Sequence, residues 1–397
     1  MIVAHAARVR TLARDPRAPR MKADMMRRSR AKRLESRTTN HGLAAEVQSL
    51  EARSLPTGTV TASLSNGNLT IGGDNLDNTI LIEVRTSGIF LTGLPDQGQK
   101  PIITTIKFGA ITKTEGEAVQ LTSTSTPTTI QSLKSLTILM RGGKDVVRMD
   151  VGVAESEPEP DAPILSITGR VRVNLGAGDD HGALLLNNGT LTIGGNLEGD
   201  LEGGNDCFLV MGGDPQVPIK VDGSVIILGR LGDDVIGLAD IDVKKSVTIN
   251  GSFGNDSISL QSTTVKGSVS LDGYDGEDGI QVEDTTITGT TTIRGGSGKD
   301  GLRINNLDAT GNVSVNMGSG DDLISVGTLI LGDATKVTLD GSSGTDALVS
   351  ESELTDPSIK RIRIESSTAS QASQDIIDLI ATRILDCLDV ITLTPPE

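Results

Sequence analysis

Residues 271–280 read LDGYDGEDGI, and the same frame stands 22 positions earlier as INGSFGNDSI (249–258) and 22 later as IRGGSGKDGL (293–302). The shared core is Gly-x-x-Gly-x-Asp, present also as GRLGDD (229–234) and GSSGTD (341–346), with looser copies MGSGDD (317–322), LGAGDD (175–180) and LEGGND (201–206). The closing aspartates are Asp180, Asp206, Asp234, Asp256, Asp278, Asp300, Asp322 and Asp346, spaced 26, 28, then 22 four times, then 24. Apolar columns keep the same register. Ile236, Ile258, Ile280, Leu302 and Ile324 follow the aspartate by two, and Ile227, Ile249, Leu271, Ile293 and Val315 form a second column. A third runs Val243, Val265, Ile287, Ala309.

Between these positions Ser and Thr alternate with the apolar residues, as in GSVSLDG (267–273) and GTTTIRG (289–295). That is the period-two pattern of half-buried strands. Three short strands and their glycine turns in every 22 residues describe one coil of a right-handed parallel β-helix. Coils stacked about 4.8 Å apart place like side chains in ladders, so the repeat must hold a fixed length. A β-sandwich of hairpins is the alternative architecture, but it does not require a constant period.

Composition agrees with a solenoid. The chain has 397 residues with 47 Gly, no Trp, one Tyr and four Phe, so its core is built from Val, Ile, Leu and Ala. Net charge is −16, unevenly spread: residues 1–60 hold 13 Lys/Arg against 5 Asp/Glu, which is +8, leaving −24 for residues 61–397. An acidic body is a poor partner for nucleic acid or anionic membranes. No apolar run approaches the roughly 18–20 residues of a membrane-spanning helix, and no apolar signal segment follows the basic N-terminus. Cys207 and Cys387, 180 positions apart, form no recognisable framework and read as free thiols.

Four regions follow. Residues 1–53 are basic and irregular, a disordered targeting segment. Residues 54–163 are irregular solenoid turns with insertions. LTIGGDNLDNTILIEV (69–84) carries Asn78 in the aspartate position and LMRGGKDVVRM (139–149) carries Asp145, while LTSTSTPTTI (121–130) and AESEPEPDAP (154–163) are inserted. Residues 164–350 are the regular β-helix. Residues 351–397 hold an amphipathic helix with Ile376, Ile377, Ile380, Ile384, Leu385 and Leu388 on one face, expected to cap the open end of the stack.

Two resemblances add expectations. KRLESR (32–37) and VQSLEARSLPTG (47–58) resemble the Leu-Glu-x-Arg N-terminal signature of large secreted or surface proteins of planctomycete bacteria, and TASLSNGNLTIGGDNLDNTILI (61–82) resembles the first β-repeat that follows it. This implies an exported, surface-associated protein with cell-envelope or extracellular matrix partners. GGSGKDGLR (295–303) resembles the Gly-Gly-x-Gly-x-Asp-x-Leu-x nonapeptide of calcium-binding repeat-in-toxin proteins. In that family the ions sit between stacked turns; here the nonapeptide comes once per coil rather than in tandem.

Calcium needs six to eight oxygen ligands. The candidate ligands are Asp234, Asp256, Asp278, Asp300 and Asp322, with ions between stacked corners. The competing reading makes each aspartate a turn residue bonded to its own backbone and turned to solvent. A β-helix polysaccharide lyase or hydrolase is a further alternative. Yet His181 is the lone histidine outside the basic tail, and Tyr274 with four Phe are the whole aromatic inventory. Pairs such as Asp179/Asp180 and Asp321/Asp322 are adjacent and so face opposite ways. The expectation is a non-enzymatic secreted or surface structural or adhesive rod, with calcium at its corners.

Overall fold

The computed structural model describes residues 58–95, 104–114, 116–122, 130–152, 162–213, 217–350, 356–364 and 371–391. The basic segment 1–53 lies outside them, as do most of the stretches 121–130 and 154–163. From Ile130 onward the described strands wind as a parallel β-helix with three strands to a coil. In one coil these are Val247–Phe253, Ser257–Gln261 and Thr264–Val265. The first strand of every coil builds one sheet, and the second and third build the other. In Gly279–Ile287 and Gly301–Ala309 the second and third strands run on as one, bent at Asp284 and Asn306, whose φ values are 50° and 51°.

The columns expected from the period pair directly. Ile249, Leu271, Ile293 and Val315 stack in register, as do Ile258, Ile280, Leu302 and Ile324, and likewise Val265, Ile287 and Ala309. All are buried and belong to the core. Fully burying one such aliphatic side chain stabilises by about 1.5–3 kcal/mol, and an isolated coil could not bury it. Stacking is therefore what makes the repeat fold.

The N-terminal region departs from the expected series of irregular coils. Asn68–Gly72 and Thr79–Arg85 do stack in parallel beneath Ser135–Gly142 and Val146–Val151. The flanking strands fold back instead: Thr59–Ser65 pairs antiparallel with Asn68–Gly72, and Gly88–Gly93 antiparallel with Thr79–Arg85. The first hairpin turns at Asn66–Gly67, with φ 50° and 81°, the conformation an Asn-Gly turn favours. Antiparallel pairing gives this end of the stack a finish that a further parallel coil would not.

The C-terminal helix, Gln371–Ile391, forms where its periodicity predicts. It lies along a flank of the stack rather than across an end. Ile380, Ile384, Cys387 and Ile391 pack with Ala183, Cys207, Leu209 and Val235, while Ile377 packs with Leu323 and Ala347. Ile380 occupies the dent left by Gly279, where a Cβ would collide with it. At about 1.5 Å per residue the helix is roughly 31 Å long, the height of six or seven coils, so it braces repeats that do not touch one another. Arg148 Nη1 donates to Ile391 O at 3.3 Å and Arg383 Nη1 to Ser257 Oγ at 3.1 Å, fixing it along its length.

The two cysteines are not free. Cys207 and Cys387 form a disulfide with Cα atoms 6.0 Å apart, joining the helix to the coil it crosses. Their 180-residue separation hid this, because the helix runs back down the outside of the stack to coils laid down much earlier in the chain.

Candidate functional site

The repeat's acidic residues converge on one column, and the column is inside. Asp145, Asp180, Asp206, Asp234, Asp256, Asp278, Asp300, Asp322 and Asp346 are each at most 1 % exposed, and Asn78 heads the series at 0 %. The five proposed calcium ligands, Asp234, Asp256, Asp278, Asp300 and Asp322, are thus brought together, but as buried rungs rather than solvent-facing corners.

A single interaction repeats along them. The backbone N–H of each aspartate donates to Oδ1 of the aspartate in the next coil: Asp234 to Asp256 at 2.8 Å, Asp256 to Asp278 at 2.7 Å, Asp278 to Asp300 at 2.9 Å, Asp300 to Asp322 at 2.8 Å. The same bond links Asp145 to Asp180, Asp180 to Asp206, Asp206 to Asp234 and Asp322 to Asp346, and the N–H of Asn78 donates to Asp145. Neither alternative drawn from sequence describes this. The carboxylate is not in solvent, and it caps the next coil's turn instead of its own.

The motif's glycines now have separate reasons. The second glycine sits at positive φ (118° in Gly232, 128° in Gly254, 148° in Gly276), and a Cβ there would overlap the glycine carbonyl of the preceding coil. The first glycine makes room for the acid: a Cβ at Gly229, Gly251, Gly273, Gly295 or Gly341 would strike Oδ2 of the aspartate five residues on. In the looser copies Met140, Leu175, Leu201 and Met317 take this position and are themselves wholly buried.

The Oδ2 atoms of Asp145, Asp180, Asp206, Asp234, Asp256, Asp278, Asp300 and Asp322 have no hydrogen-bond partner. Burial disfavours their charged form and dominates their titration. It pushes Asp145, Asp206, Asp234 and Asp300 up to about 8, and Asp180, Asp256, Asp278 and Asp322 up to about 7. The N–H bond from the neighbouring coil opposes the rise, and like-charged neighbours in the column add to it for Asp234, Asp278 and Asp300.

One residue earlier stands a second, outward column with the opposite polarity. Asn205, Asp233, Asn255 and Glu277 donate their N–H groups back to side-chain oxygens of Asp179, Asn205, Asp233 and Asn255, at 2.9, 2.8, 2.8 and 2.7 Å. Each corner is therefore stitched from both sides. The adjacent pairs Asp179/Asp180 and Asp321/Asp322 split as expected, with Asp180 and Asp322 buried and their neighbours turned outward.

Calcium binding demands an oxygen-rich, hydrated cage. Here each Oδ1 already accepts an N–H, and the Oδ2 of Asp234, Asp256, Asp278 and Asp300 lies so close to the first glycine that even a Cβ there would collide with it. The ladder does not fit a calcium chelate. Among the described residues no three His, Cys, Asp or Glu side chains group in a way that could hold a metal ion. His181 lies on the helix-bearing flank with its Nδ1 unpartnered, and burial lowers it to about 4. Arg294 and Arg303 stand on different sheets, so they share no groove. Among the described residues no helix is long and apolar enough to cross a membrane. No protein-family model matches the chain, and comparison with curated proteins and with solved structures finds no significant match.

Proposed function

We propose that this protein is an exported, non-catalytic structural rod of the cell surface, whose partners are envelope or matrix components. The observation that carries the reading is the Cys207–Cys387 disulfide, which ties the flanking helix to the coil stack. Such bonds form and persist in oxidising compartments and are rare where thiols are kept reduced. The Leu-Glu-x-Arg resemblance at residues 32–37 and 47–58 supports the same destination. The carboxyl groups that recur with the repeat are occupied in joining coil to coil, which suits a load-carrying rod better than a catalyst. A helix bolted along the coils adds longitudinal stiffness to a fold whose repeats otherwise hold only their neighbours.

The test is cell fractionation with thiols trapped by alkylation before non-reducing electrophoresis. The expected result is protein in the envelope or extracellular fraction with Cys207 and Cys387 joined. A cytosolic pool with both thiols alkylated overturns the proposal. In the same preparation, thermal melts in calcium and in excess chelator are expected to coincide.

A further inference from the structure

The chain holds five aromatic residues, one Tyr and four Phe. Phe208 is in the core, Phe108 packs against it, and Phe90 lies under the Arg85 guanidinium at 4.7 Å. The remaining two are exposed and together. Phe253 is 50 % exposed and Tyr274 is 48 % exposed, with ring centroids 5.5 Å apart in an edge-to-face arrangement. Leu231, 59 % exposed, is in register with Phe253 on the preceding coil. Leu231, Phe253 and, one position earlier on the third coil, Tyr274 thus form an apolar ridge at one corner; Asp275 follows Phe253 in its column on Tyr274's own coil, and Ser297 and Ser319 follow on the next two.

None of the three ridge residues belongs to the hydrophobic core. Tyr274 is held at φ 86° in a column that carries Arg230 and Ser252 at φ 85° and 80° on the two coils before it and Gly296 and Gly318 on the two after. A bulky residue at positive φ carries strain that glycine would not. Beside the rings runs a polar column, Asn250, Asp272 and Arg294, in register on three coils. Arg294 lies 3.6 Å from Asp272, and Ser252 donates to Asn250 at 2.8 Å.

We propose that the Phe253–Tyr274 ridge binds a neutral polysaccharide strand. The C–H face of a sugar ring lies well on the negative face of an aromatic ring, and Asn, Asp and Arg side chains are suited to bonding its hydroxyls. The acidic body, −24 over residues 61–397, repels polyanions. A protein partner fits less well, because three side chains on coils about 4.8 Å apart fall far short of the ~800 Å² per partner of a stable protein interface. A linear polymer needs only this narrow footprint.

The experiment is affinity gel electrophoresis of the purified chain through xyloglucan, galactomannan, hydroxyethylcellulose and dextran, with alginate as the polyanionic comparison. Tyr274→Gly and Phe253→Ala are the variants; glycine is native to this column on the next two coils, so the first keeps the backbone conformation. At least one neutral glycan is expected to retard the protein. Each variant, melting as the parent does, should bind at least about tenfold more weakly, the loss typical of an exposed anchor residue. No retardation by any of the four, retardation unchanged in both variants, or equal retardation by alginate overturns the proposal. So does capture of an envelope protein through these two rings when no glycan binds. Binding to purified chain does not depend on export, so failure here and failure of the localisation test are separable.

Discussion

Two columns of the stack lie one residue apart and hold similar residue types, yet their environments are opposite. The inner column, Asp145 to Asp346, is buried and keeps the same residue in every rung but Asn78. The outer column reads Asp179, Asn205, Asp233, Asn255, Glu277, Lys299, Asp321 and Thr345. Both accept or donate coil-to-coil hydrogen bonds at similar distances. The difference teaches that hydrogen bonding alone does not hold a position constant here. A rung in the interior must accept the next N–H and fill a fixed space beside a glycine. A rung outside can leave the bond to water.

The comparison predicts its largest consequence in the pH dependence of folding. The inner carboxyls from Asp145 to Asp322 have folded-state values of about 7 to 8 against an ordinary 3.8. Between those limits the folded chain binds more protons than the unfolded one. Stability is therefore fully present below about pH 4 and falls as pH rises towards 8. His181 works the other way, losing its contribution as pH falls from 6.5 towards 4, but it is one group against eight. Thermal unfolding followed by circular dichroism should give a midpoint at pH 5 well above that at pH 8.5. Equal midpoints, or a rise with pH, would mean the inner column does not differ electrostatically from the outer one.

Next in size is Gly276→Ala. The substitution places a Cβ at φ 148° against the Gly254 carbonyl, between two backbones that cannot separate without breaking the stack. Backbone strain and overpacking of this kind each cost about 1–3 kcal/mol, so a loss of about 3–5 kcal/mol is expected in urea unfolding. An unfolding midpoint like the parent's would show that the corner can relax.

Much of this architecture is legible in the amino-acid sequence, and the parts that are not share a cause. The strict spacing from Asp234 to Asp322 sets the coil, and the apolar columns through Ile258 and Ile280 are buried where their register puts them. Asn78 is a true rung, readable because the shape of its segment survives. What a linear pattern conceals is which face a turn residue takes. Aspartate after glycine is ordinarily a solvent-facing turn residue, and only the missing Cβ of Gly229 or Gly273 hints that a carboxyl occupies that space. The helix's flank position and its bond to Cys207 are hidden for a related reason: amphipathicity reports that a face is covered, not by what.

Asp278→Ala should cost about 2 kcal/mol at pH 5, because it leaves the buried N–H of Asp256 without its acceptor. The cost should shrink at pH 8.5, where the substitution also removes an acid that resists ionisation. A cost unchanged between the two pH values would detach the rung's hydrogen bond from its titration.

The smallest effects sharpen the comparison most. Asp278→Asn keeps an Oδ1 acceptor for Asp256 and cannot ionise. It should change stability by less than about 1 kcal/mol at pH 5 and raise it relative to the parent at pH 8.5. Glu277→Ala, one position away, leaves its own N–H bond to Asn255 intact and alters only a solvent-facing side chain. Its effect should stay within about 0.5 kcal/mol at both pH values. Urea midpoints at pH 5 and 8.5 for the two variants read this directly. If Glu277→Ala shifts with pH as Asp278→Asn does, the titrating carboxyls are the exposed ones, and the inner column's constancy needs a cause other than burial.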